Sequence, residues 1–250
     1  MLRTAAACFA LPAIAVIVAG CGNSSGASTS STRTSITRAQ VVAYARNVNL
    51  RAADAPGMTA QSAEREVNVA AQEAELGRCI GIPTRRRDVV RIASPSLRRQ
   101  AFGAISSVAA DLNGPANPAS VAAEDTRDLA AAASKHGVAC QERYFQREYT
   151  RPGVSRVEVA SLPNPISGIY GGVGSRFRVT VAGMHVGEVK AGAPKTRKPI
   201  SVVVYADVFL LAVGSAGIEL EAGGIAKPFP QETERRLVSL LYRRAEAHKL

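Results

Sequence analysis

Apolar residues along this chain follow two different periods, and the change falls near its middle. In the first half they recur at three- and four-residue intervals, the spacing of one helix face. Thr37 reads as an N-cap, followed by a helix over 38–47 with Val41, Val42 and Ala45 on one side. Residues 49–58, broken by Pro56-Gly57, read as extended chain or turn. A second helix is expected over 62–80, with Val69, Ala70, Glu73, Leu76 and Ile80 in register, stopping at Gly81. Val89–Ile92 and Phe102–Leu112 read as two strands joined across Ser94-Pro95-Ser96. Asn117-Pro118 opens an alanine-rich helix to Ala133, and a further helix runs from Val138 to Tyr149.

Beyond residue 150 the period becomes two. Val154–Leu162 alternates, and Arg176–Val181 places Phe177, Val179 and Val181 on one face and polar residues on the other. Ile200–Val213 is nearly continuous β-branched and aromatic sequence with Asp207 its only charge. That composition describes a central strand covered on both faces. Gly214-Ser215-Ala216-Gly217 reads as a hairpin turn into Ile218-Glu219-Leu220-Glu221, an alternating outer strand. A last helix follows Pro228 and Pro230, with Glu232 and Glu234 in its first turn, Leu237, Val238, Leu240 and Leu241 along its stripe, and Arg243 and Arg244 near its end. Those charges complement the helix dipole. The order predicts an α+β fold: a largely antiparallel sheet of about six strands with flanking helices.

The first twenty residues stand outside this pattern. Arg3 precedes an apolar run from Ala5 to Val18, interrupted by Pro12 and too short to span a bilayer. Val18-Ala19-Gly20-Cys21 then resembles the lipobox of bacterial lipoproteins. The resemblance implies a cleaved signal over 1–20, a diacylglyceryl thioether on Cys21, and a lipid-anchored protein on the extracytoplasmic face of the cell membrane. Several acyl chains on one residue hold stably where one chain holds only marginally. Residues 22–34 are mostly Gly, Ser, Thr, Ala and Asn, too poor in apolar groups to order themselves, and read as a tether. The remaining 35–250 is long enough for one sizeable core. Although Pro152–Gly174 is a candidate boundary, the second half alone would expose an apolar sheet face, so one envelope domain is expected.

With Cys8 removed and Cys21 lipidated, Cys79 and Cys140 remain. In an oxidising compartment they are expected to pair, tying two helices and closing a loop worth about 4 kcal/mol in the chain-entropy model. Their spacing, with no CxxC and no histidine cluster, argues against zinc. The mature chain also resembles a group of actinobacterial surface lipoproteins and sensor ectodomains. The likeness is carried by Cys79 after a helix, Ser94-Pro95 leading to Ile105-Ser106-Ser107-Val108, Cys140-Gln141, and Tyr205-Ala206-Asp207-Val208-Phe209 before Pro228-Phe229-Pro230. It implies a PsbP-like sandwich of helices and antiparallel sheet, with no catalytic residues to carry over.

Chemistry-bearing motifs are few. Gly171-Gly172-Val173-Gly174-Ser175 lacks the lysine of a phosphate loop and reads as a turn or loop. Gly214-Ser215-Ala216-Gly217 is not the nucleophile elbow, which needs a helix after its serine. His136, His185 and His248 are widely spaced, in polar or terminal settings. Glu124, Asp125 and Asp128 beside Arg127 read as a solvated helix face. Asp207 is the exception, because a lone buried carboxylate is costly. It is expected to meet a cross-strand arginine, Arg176 or Arg178, to face solvent, or to face a ligand. No cofactor or metal is implied.

A net charge of +11, carried mostly by arginine, adds the last clue. Basic residues cluster at 85–87, 98–99, 190–198, 235–236 and 243–244. Beside a membrane, each is worth about 1 kcal/mol toward anionic lipid or cell-wall polymer. Nucleic acid is disfavoured by the compartment and by the scarcity of aromatic residues for base stacking. Two function classes follow: a non-catalytic envelope protein that binds or senses a lipid, a polymer or a partner protein, and an envelope hydrolase whose site is scattered along the chain.

Overall fold

The computed structural model describes residues 36–67, 70–82, 89–112, 118–164, 166, 168–169, 171–184, 200–248 and 250. The expected signal segment, Cys21, the tether, the basic stretches 85–87 and 190–198, and His185 lie outside the described residues. Thr37 caps the first helix, α1 (Arg38–Val48): its hydroxyl accepts from the Gln40 amide, and the Gln40 side chain accepts from the Thr37 amide at 2.8 Å. The reciprocal pair satisfies two donors that a helix start otherwise leaves open. One stripe of α1, Val41, Tyr44, Ala45 and Val48, is buried.

Two short strands follow, β1 (Thr59–Ala60) and β2 (Arg65–Glu66), and then α2 (Ala70–Ile80). The second helix is therefore shorter than expected. Residues 65–66 instead pair with the edge of β3 (Val89–Ala93), and the Val67 amide donates to the Arg91 carbonyl at 3.1 Å. Their side chains stay exposed, with Glu66 paired to Arg38, so a helix there would bury little. The strand β4 (Leu97–Arg99) lies end to end with β3 along β5 (Phe102–Asp111). The break between β3 and β4 falls at Ser94-Pro95-Ser96, where proline has no amide to give a ladder.

Helices α3 (Pro118–Ala133) and α4 (Lys135–Tyr149) come next, then β6 (Arg156–Leu162), β7 (Gly172–Met184), β8 (Ile200–Val213), β9 (Ala216–Ile225) and α5 (Gln231–His248). All strand pairings are antiparallel, in the order β1-β4-β5-β9-β8-β7-β6, with β3 also on β5 and β2 on β3. The fold is α+β, with nine strands among the described residues rather than about six. The three additional strands are two or three residues long, too short to leave a period in the sequence. Strands from both halves of the chain share the sheet through the β5–β9 pairing.

Helices cover both faces. On one, α1 and α5 close over Val90, Ile92, Val108, Phe209, Leu211, Ile218 and Leu220. On the other, α2, α3 and α4 form the layer above Phe177, Val179, Val181, Val204, Val208 and Leu210. Strand β8 feeds both cores by alternation, as its nearly continuous apolar sequence requires. Burial of each such side chain contributes about 2 kcal/mol. Phe145 of α4 meets Phe177 with ring centroids 4.9 Å apart. A two-residue turn joins β8 to β9, with Val213 opposite Ala216 and Gly214 at φ +61°. Glycine at the first central position is what a type II′ hairpin turn demands.

Candidate functional site

The strand register sets Arg176 of β7 directly across from Asp207 of β8. The Arg176 Nε donates to Asp207 Oδ1 and Nη2 to Oδ2 at 2.9 Å, a bidentate pair. Arg178 stands two residues on, opposite Tyr205, with its side chain exposed, and does not share this pairing. A third group arrives from above: Glu234, in the first turn of α5, accepts from Arg176 Nη2 at 3.1 and 3.2 Å. Asp207 and Glu234 are both 0 % exposed and the Arg176 side chain 11 %. Glu234 is thus not the solvated partner of the helix dipole that its position in the first turn suggests.

Two carboxyls and one guanidinium in a sealed space balance only if one carboxyl keeps its proton. Glu234 is that group. Burial raises it from the ordinary 4.5 to about 9, helped by its hydrogen bond to Asp207 and by the Asp207 charge, against the opposing pull of Arg176. The neutral cluster clamps α5 to the sheet. With no surface on either acid, neither faces a ligand, and of the settings expected for Asp207 the cross-strand Arg176 is the one found.

The opposite face carries a polar layer that sequence reasoning missed. Arg91 of β3 donates through Nη1 to Ser107 Oγ of β5 at 2.7 Å and to Glu219 Oε2 of β9 at 3.1 Å, with Arg91 and Glu219 both buried. Glu221 is buried two residues along β9. An alternating outer strand was expected here, but β9 lies between β5 and β8 within the sheet, and both glutamates are buried. Arg91 held the clue: it interrupts an apolar strand as Asp207 does. Tyr149 of α4 is pushed up to about 12 by burial and by the Glu221 charge, and Tyr144 is raised by burial and by Glu148, Glu221 and Glu219. Both phenols therefore remain protonated donors. Asp128 of α3 is likewise buried, not solvated, because its helix packs against β7 and β8.

Elsewhere polar groups are spent on structure. Ser106 Oγ donates to Asn49 Oδ1 at 3.0 Å and accepts from the Leu50 amide at 2.9 Å, fixing the chain after α1 to β5. Arg244, expected as a helix-end charge, forms a bidentate pair with Asp54 at 2.7 Å on each arm. Burial pushes the Asp54 carboxyl up, but the hydrogen bonds from Arg244 and the Arg51 amide and the two guanidinium charges hold it below its usual value. The Gly171–Ser175 stretch lies mostly in β7 rather than forming a loop. Its glycines allow close packing: a Cβ on Gly174 would collide with the Asn164 amide and lie 2.7 Å from Phe209 Cδ1.

Cys79 of α2 and Cys140 of α4 form a disulfide with Cα atoms 5.8 Å apart. His136 Nε2 lies 2.7 Å from the Cys79 carbonyl oxygen, and Arg143 Nη2 lies 3.0 and 3.2 Å from the two sulfurs. His248 is exposed at the end of α5. Among the described residues no three His, Cys, Asp or Glu side chains gather as a metal would require, and no helix is long and apolar enough to cross a membrane. Compared with protein-family models, curated proteins and solved structures, the chain matches none.

Proposed function

We propose that this protein is a lipid-anchored ectodomain of the bacterial cell envelope, held by Cys21, that binds an anionic lipid or cell-wall polymer without catalysing a reaction. One observation carries the reading: the most deeply buried acids are matched to arginines within the fold, while the positive excess stands outside. Asp207 and Glu234 are consumed by Arg176, and Glu219 by Arg91. Arg99, Arg127, Arg151, Arg178, Arg236 and Arg243 are exposed. A basic body tethered beside anionic head groups is drawn to them, with an attraction that salt screens. A hydrolase would need an acid or base that a substrate can touch, and the Asp207 cluster offers none.

The test is a thermal-shift series on the purified protein with anionic phospholipid vesicles and cell-wall polymer fragments, each at low and high salt. Saturation at a hundred times Kd stabilises by about 2.7 kcal/mol, which for a chain of this size raises Tm by roughly 5–10 °C. A shift with one anionic ligand and no cleavage of it supports the proposal. No shift with any of them, or chromatographic evidence that the ligand is hydrolysed, overturns it.

A further inference from the structure

The Cys79–Cys140 bridge has surroundings that a purely mechanical staple does not need. Positions 136, 140, 143 and 147 follow one stripe of α4, and Cys79 meets that stripe from the last turn of α2. Arg143 Nη2 donates to both sulfurs. A carbonyl oxygen has no proton to give, so the His136 Nε2 that contacts the Cys79 carbonyl carries the hydrogen, and this N–H stands 3.7 Å from Cys140 Sγ. Among the described residues of α2 and α4, Arg147 pairs with Glu75, Glu142 accepts from the Ser161 amide at 2.8 Å, and Arg78 bonds the Ala74 carbonyl. Both sulfurs therefore sit in a field that favours thiolates, the species that drive and leave a disulfide exchange.

We infer that this disulfide is a thiol–disulfide exchange site for an extracytoplasmic dithiol protein, with Cys79 the sulfur attacked and Cys140 the sulfur expelled. The two cysteines differ in access: Cys79 is half-buried and Cys140 is 1 % exposed. A partner thiolate attacks Cys79 Sγ, the S–S bond breaks, and its electron pair leaves on Cys140 Sγ, where Arg143 and the His136 N–H receive it. The partner's second thiolate then attacks the partner sulfur of the mixed disulfide and expels the Cys79 thiolate onto Arg143. Two electrons pass to this chain, the partner becomes a disulfide, and its two thiol protons go to solvent. Opening the bridge frees α2, whose main packing partner is α4, and leaves the sheet ladder untouched.

The experiment uses the intact protein in detergent, with dithiothreitol as the dithiol, and compares wild type with Arg143→Gln, Arg143→Lys and His136→Gln. Opening of the bridge and iodoacetamide alkylation of the reduced thiols are followed as a function of pH, and hydrogen exchange is followed over residues 70–80. The reduced wild type should alkylate with a midpoint well below the ordinary thiol value of about 8.5. Arg143→Gln should slow opening at neutral pH by about tenfold and raise that midpoint by about one pH unit. Arg143→Lys should recover most of the loss, His136→Gln should slow opening to a lesser extent, and exchange should rise over 70–80 while β5 and β9 stay protected. Ordinary thiol midpoints with no effect of Arg143→Gln overturn the inference, as does cooperative loss of protection in the sheet on reduction, which would make the bridge a staple only.

Discussion

Replacing Glu234 by Gln should make the protein less sensitive to pH without weakening it at neutrality. Glu234 is raised from 4.5 to about 9 by burial and by Asp207. Between those values the native state holds a proton that the unfolded chain has lost, so stability falls as pH rises through the window and levels off above it. At about 1.4 kcal/mol per pH unit, the penalty at pH 7 is about 3 kcal/mol, and it grows toward pH 9. Glutamine is the neutral isostere: its NH2 donates to Asp207 as the protonated acid does, and its oxygen still accepts from Arg176. Guanidinium unfolding at about pH 5, 7 and 9 should therefore give nearly equal stabilities at the acid end. The variant should be the more stable protein by several kcal/mol at the alkaline end. Parallel curves for the two proteins, or a loss of about 2 kcal/mol in the variant at every pH, would show that Glu234 is a carboxylate at neutrality and refute the argument.

Three other substitutions probe separate parts of the fold. Asp207→Ala removes the bidentate partner of Arg176 and should cost about 3–5 kcal/mol in denaturant unfolding, the usual penalty for breaking one side of a buried ion pair. Gly174→Ala forces a Cβ against Phe209 and Asn164 and should cost about 1–3 kcal/mol, where the same change at an open site would stabilise. Thr37→Ala removes the cap of α1 and should cost about 1 kcal/mol, with loss of helix signal confined to that end.

Much of the architecture was legible because long elements leave a period. The alternation at Phe177, Val179 and Val181, the nearly continuous apolar run of β8 from Val204 to Val213 and the stripe at Leu237, Val238 and Leu241 each report a face that the structure buries. Short elements leave none, which is why β1, β2 and β4 were unseen. Arg65–Glu66 passed for the start of a helix because a two-residue strand gains its hydrogen bonds from a neighbour 28 and 26 positions away in sequence, at Ala93 and Ile92. Charge was harder to place than hydrophobicity. Asp207 drew attention as the one acid in an apolar run, and that reasoning led to Arg176. Glu234 escaped it because an acid in the first turn of a helix is adequately explained by the dipole. Glu219 and Glu221 escaped because alternation alone does not say whether the second face of a strand meets water or another layer.

The whole functional reading rests on where the protein is held, so the decisive measurement is at Cys21. Cell fractionation and intact mass should be determined for the wild type and for Cys21→Ala. The wild-type chain should begin at Cys21, carry a diacylglyceryl adduct and sediment with membranes, and the variant should be either released or left unprocessed. A wild-type chain without lipid, or a Cys21→Ala protein that is still processed and membrane-bound, would contradict that reading.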